Sequence, residues 1–89
     1  MSVDGNSLPR IGHGFRLQWE EVQQAHVLLY PEGMVKLNPS AGHILTRCDG
    51  ATPVRDIVAD LEKCFDTSAL SADVEAFLEL AHRQRWVEM

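Results

Sequence analysis

Four histidines (His13, His26, His43 and His82) and two cysteines (Cys48 and Cys64) are the side chains of this 89-residue chain best suited to hold a metal or act as a nucleophile. A zinc site takes three or four such ligands at workable spacing, and the sequence contains no CxxC and no HxxxH pair. A thiol nucleophile needs a base within hydrogen-bond reach. Both cysteines instead fall on the apolar stripes of apparent helices, and they read as small core residues of a protein in a reducing compartment. The carboxylate pairs Glu20-Glu21 and Asp60 with Glu62 fall on polar faces and read as solvated charge. The glycines are isolated at turns and helix ends, so no phosphate-cradling loop is present. The chain is expected to be a binding protein without metal or cofactor, not an enzyme.

Charge narrows the partner. Thirteen acidic side chains outnumber eight basic ones, for a net charge of -5. The basic residues are spread along the whole chain, whereas a phosphate backbone selects for clustered Lys and Arg. Nucleic acid is therefore not the expected ligand. No apolar run reaches membrane-spanning length, and the first residues lack a charged flank followed by an apolar core. The expected setting is the cytoplasm, with no membrane contact.

The elements that must position a binding surface can be read from periodicity. Residues 1–14, MSVDGNSLPRIGHG, are rich in Gly, Ser, Asn and Pro and read as a flexible lead-in to a single domain at 15–89. Leu17 and Trp19 alternate with Arg16, Gln18 and Glu20, which predicts a first strand with one wet face. A second strand over 26–30 is apolar on both faces and is expected to be central. Pro31 suits the second position of a type I turn, with Gly33 in the left-handed conformation closing it by a bulge. Met34, Val35, Lys36 and Leu37 form the return strand, expected on an edge.

Three helices follow. Asn38-Pro39 opens the first, whose stripe is Ala41, Ile44, Leu45 and Cys48 before Asp49-Gly50 ends it. Thr52-Pro53 repeats the signal for the second, with Val54, Ile57, Val58, Leu61 and Phe65 facing the core. Ser71 opens the third, with Val74, Phe77, Leu78 and Ala81 inward. Trp86-Val87 is expected as a short closing strand or a packed tail. Strands in one block and helices in another make an α+β domain: a three-stranded antiparallel sheet followed by three helices, like a small winged helix-turn-helix. A DNA-reading version would carry basic and amide groups at the start of its third helix. Here that end carries Asp73, Glu75 and Glu79, with Arg83 and Arg85 at the far end.

Recognition of a peptide fits these elements better. An edge strand offers unpaired N–H and C=O groups to an extended segment, while side-chain pockets supply selectivity. If the third helix packs beside the strand at 34–37, Met34, Phe77 and Leu80 line the groove between them. Leu80 lies off the core stripe of its helix, either as a contact residue of that groove or as a residue that widens the core face or packs under Trp86. Two other classes remain open at this stage, a winged-helix transcription regulator and a structural domain that forms a homodimer through the free edge.

YPEG at 30–33, V-x-LN at 35–38, A-x-x-IL at 41–45, DG at 49–50 and V-x-x-FL at 74–78, in that order and spacing, resemble the pyrroloquinoline quinone biosynthesis protein D (PqqD) family over about residues 15–88. Arg85 departs from the pattern, standing before Trp86 where relatives often carry Gly. The resemblance implies a peptide chaperone, also called a precursor-peptide recognition element. Such a protein binds the ribosomal precursor peptide of pyrroloquinoline quinone and presents it to a radical S-adenosylmethionine enzyme that cross-links a Glu and a Tyr. It also implies a groove between the third strand and third helix. By position this groove takes in Met34, Val35, Lys36 and Leu37 on the strand and Asp73, Ala76, Phe77, Leu80 and Gln84 on the helix.

Overall fold

The computed structural model describes residues 3–89. In chain order its elements are β1 (Arg10–Ile11), β2 (Arg16–Glu20), β3 (Ala25–Tyr30), β4 (Gly33–Lys36), α1 (Pro39–Leu45), α2 (Val54–Cys64), α3 (Ser71–Arg83) and β5 (Val87–Glu88). The strands β2, β3 and β4 form an antiparallel sheet in that order, and three helices follow it, the expected α+β architecture. β5 pairs with β1 in a separate two-stranded ladder, so the closing strand expected at Trp86-Val87 is present.

The central strand β3 is apolar on both faces because both are covered: Val27 and Leu28 are fully buried. Leu28 lies directly between Leu17 and Val35 on the face that meets the helices. There it joins Leu45, Ile57 and Leu78, which are also fully buried. Each such side chain contributes about 1.5–3 kcal/mol of burial energy. Helix α1 lies close against β3. A Cβ added at Gly42 would come within 2.8 Å of His26 Nδ1, so the glycine sets how near the helix can sit. Asn38 caps α1 as its type predicts, Oδ1 accepting from the Ala41 N–H at 2.8 Å.

Several local expectations differ from the structure, each for a physical reason. The hairpin between β3 and β4 has a two-residue loop, with Tyr30 opposite Gly33. Gly33 has φ of +157°, far from the left-handed region near +57°, so no bulge follows the turn. α1 stops at Leu45, and Cys48 reaches the core from the turn beyond it. Thr52 does not cap α2. Its N–H and hydroxyl are held by the Asp49 carboxylate instead, and α2 takes its cap from the chain's beginning: the Val54 and Arg55 N–H groups donate to the carbonyls of Ser7 and Gly5. Ser71 is the first residue of α3, where the sequence reading opened that helix.

The last turn of α2 is uncovered, with Lys63, Cys64 and Phe65 all exposed, so Cys64 is a surface residue and not a core one. The segment read as a lead-in carries β1 and two buried side chains, Val3 and Pro9. A strand of two residues leaves no periodic trace in a sequence.

Candidate functional site

The edge of the sheet is the starting point. The Leu37 N–H donates to the His26 carbonyl at 3.0 Å, which makes residues 26 and 37 a hydrogen-bonded pair. Such pairs alternate along an antiparallel ladder. In this register Val35 opposite Leu28 and Gly33 opposite Tyr30 therefore also turn their backbone groups inward. Met34 and Lys36 turn their N–H and C=O groups away from β3, and β4 has no second neighbour among the described residues. The ladder on the other side follows the same rule, so Leu17 and Trp19 face outward from β2, the opposite edge. The tail does not cover β4, because β5 is paired with β1.

The second wall is α3, which packs on α2 and β5 through its inner stripe of Val74, Leu78 and Ala81. Asp73, Ala76, Phe77, Leu80 and Gln84 recur at spacings of three and four residues and so form one face of the helix and its cap. On that face Leu80 is 39% exposed, Ala76 and Asp73 are exposed, and Phe77 is half-buried with its ring 6.5 Å from that of Trp86. Leu80 is thus an apolar side chain that does not join the buried core. On β4, Met34 is 49% exposed and Lys36 is exposed, whereas Val35 and Leu37 turn toward the core.

A cleft of about 290 Å³ lies between α1, the end of α2 and the start of α3, and begins at Asn38, two residues past the end of β4. Asn38 enters it from the strand side, and Asp73 and Phe77 from the helix side. Of the groove residues named from sequence, this cleft brings together Asp73 and Phe77 and does not include Met34, Val35, Lys36, Leu37, Ala76, Leu80 or Gln84. Sequence reading missed the rest of the cleft, notably His43, Phe65 and Leu70. The rings of His43 and Phe65 meet edge to face at 4.9 Å. Phe65 fits the core spacing of α2, and only the uncovered last turn reveals it as a surface residue. Leu70 is held in place by its N–H, which donates to Glu62 Oε2 at 3.0 Å.

The groups with intrinsic reactivity lie elsewhere. Cys48 is buried, its thiol donating to the Ile44 carbonyl at 3.3 Å. Burial first, and the nearby Asp49 charge second, push that thiol up to about 12. It stays protonated and is no nucleophile. Among the described residues no three His, Cys, Asp or Glu side chains converge where a metal could sit. What the structure offers is an unpaired strand edge at β4 and a partly apolar exposed face on α3.

Comparison with known proteins bears on these features. The family model described as Coenzyme PQQ synthesis protein D (PqqD) matches residues 25–87. A PqqA binding protein of Pseudomonas aeruginosa is 52% identical over 85 residues, covering 94% of this chain and 92% of its own length. One of Azotobacter vinelandii is 48% identical with the same coverage. The solution NMR structure of the PqqD truncation of Methylobacterium extorquens PqqCD is described as a functional, stand-alone RiPP recognition element. It matches with a TM-score of 0.83 and 31% identity, over 99% of this chain and 96% of its own.

Proposed function

The chain belongs to the PqqD family of coenzyme PQQ synthesis proteins, and from that membership we propose that it binds the precursor peptide PqqA by strand addition and presents it to a modifying enzyme. The observation that carries this reading is the outward row of Met34 and Lys36 backbone groups beside an apolar helix face. The peptide adds as a fourth strand on β4 and rests its apolar side chains on Phe77 and Leu80. Selection in this mode comes from side-chain contacts, while the main-chain bonds supply sequence-independent affinity.

The β4 edge is preferred over the β2 edge because the chain that follows it lines, through Asn38, the cleft shared with Asp73 and Phe77 of α3. Val35 and Leu37 act by holding the strand rather than by touching the peptide, and Asp73, Ala76 and Gln84 border the groove along the helix. The receiving enzyme is a radical S-adenosylmethionine enzyme that cross-links a Glu and a Tyr within the peptide, and the exchange takes place in the cytoplasm. The acidic first turn of α3 disfavours a nucleic-acid ligand at the same groove.

Leu80→Asp tests the proposal. Because Leu80 is 39% exposed and outside the buried core, its replacement should cost stability about 1–2 kcal/mol and leave the domain folded. Affinity for a synthetic PqqA peptide by calorimetry should fall at least about tenfold. Unchanged affinity with an intact fold places the peptide elsewhere.

A further inference from the structure

The sheet has a second free edge, and its sequence is complementary to itself. β2 reads Arg16-Leu17-Gln18-Trp19-Glu20 and has no neighbour other than β3 among the described residues. Its outward backbone groups are those of Leu17 and Trp19. When two copies of such an edge meet antiparallel, outward residues stand opposite outward residues and exchange both N–H···O=C bonds. With Gln18 on the two-fold axis, Leu17 of each copy stands opposite Trp19 of the other, and every outward group on the strand is paired.

That register also aligns the charges. Arg16 falls opposite Glu20 of the second copy at both ends, in the non-hydrogen-bonded positions where side chains approach closest. Neither residue has an ion-pair partner within the chain among the described residues. Sliding one strand by two residues, the smallest shift that keeps outward residues paired, sets Arg16 against Gln18 or Val22 and removes both ion pairs. The apolar contact is held ready as well. Trp19 is 47% exposed, its indole N–H donating to Glu21 Oε2 at 2.9 Å and its ring edge-on to His26. β4 lacks this symmetry: about an axis at Val35, Lys36 meets Met34, and the strand carries no carboxylate to answer the lysine. A lysine so placed discourages edge pairing between copies.

We propose that β2 is a self-association edge, through which two copies join antiparallel about Gln18 into one continuous six-stranded sheet. The outer edges of that sheet are the two β4 strands, so the dimer leaves both peptide edges open. The inference goes beyond the peptide reading and does not require it. Five residues from each copy make a small interface, at the weak and transient end of the size range. The ion pairs are exposed and fix register more than they add affinity. Half-association is expected at roughly 0.1 mM protein.

The experiment is sedimentation of the intact protein from about 0.01 to about 1 mM in about 0.15 M salt, where long-range charge is screened. It is repeated for Arg16→Glu, for Glu20→Arg and for an equimolar mixture of the two, with thermal unfolding to check that each is folded. Each variant alone sets like charges opposite one another and is expected to weaken association at least about tenfold. The mixture restores both ion pairs and, with them, the original association. Bulk repulsion predicts otherwise, because Glu20→Arg reduces the negative charge of the chain and would then strengthen association. In the unmutated protein, amide exchange at Leu17 and Trp19 should slow as concentration rises. The inference is overturned by the absence of a dimer at about 1 mM, by variants that associate like the original, or by slowing at Met34 and Lys36 instead. None of these outcomes touches the Leu80→Asp test of peptide binding, so the two readings stand or fall separately.

Discussion

Replacing Met34 with proline removes one backbone donor from the outer edge of β4 and leaves the inner ladder intact. The register makes this selective: Val35 and Leu37 carry the bonds to β3, while the Met34 N–H points away from it. Proline is tolerated at such an edge position, where no ladder bond is lost. One net hydrogen bond is worth about 0.5–1.5 kcal/mol, so PqqA should bind about 2- to 13-fold more weakly than to the Met34→Ala control. The control matters because Met34 also presents a half-exposed apolar side chain. Val35→Pro, which breaks the pairing opposite Leu28, should instead lower the unfolding temperature, by roughly 4–8 °C for each kcal/mol lost in a domain of this size. Calorimetry and thermal unfolding of the three variants make the comparison. Equal affinities for Met34→Pro and Met34→Ala refute the view that this amide pairs with the peptide.

Three further outcomes are expected. Gly12→Ala should destabilise the fold by about 1–3 kcal/mol in chemical denaturation, because the new Cβ would lie 2.2 Å from the Arg85 carbonyl oxygen. Arg85→Gly should stabilise it by up to about 1 kcal/mol, since Arg85 holds a left-handed φ of +67°. Deleting residues 1–8 should cost about 2–4 kcal/mol in the same assay, through the lost Val3 burial and the two carbonyls that cap α2; a deletion that unfolds like the full chain contradicts that role.

Stability should also fall as pH drops through the acid range. The Ala51 N–H, the Thr52 hydroxyl and the Thr52 N–H hold the Asp49 carboxyl below the usual carboxylate range. The His13 N–H and the Arg10 side chain do the same for Glu88. A carboxyl group with a lowered folded pKa stabilises above its unfolded pKa and loses that contribution as pH falls through the folded one. Asp49→Asn with Glu88→Gln should flatten the acid limb of stability measured against pH.

The sheet and the three helices were legible because each carries its own period. Alternation marked β2, the doubly apolar run at 26–30 marked a covered central strand, and the Asn38-Pro39 signal marked the start of α1. The exposed face of α3 was legible where an apolar residue broke the period: Leu80 sits off the core stripe and is exposed. Phe65 was hidden by the opposite circumstance, since it keeps the spacing of α2 while the last turn of that helix has nothing packed over it. Cys64 was misread for the same reason. The cap of α2 and the strand β1 depend on carbonyls and pairings supplied from more than forty residues away, and local pattern carries no record of them. Arg85, singled out in the sequence, holds a left-handed backbone, a conformation that suits glycine.

Amide hydrogen exchange during titration with PqqA bears most directly on how the peptide is held. The Met34 and Lys36 amides, which face outward, should exchange freely without peptide and slow sharply when it is added, while Val35 and Leu37, already bonded to β3, change little. Slowing at Leu17 and Trp19 on the β2 edge, with Met34 and Lys36 unaffected, would contradict strand addition at β4.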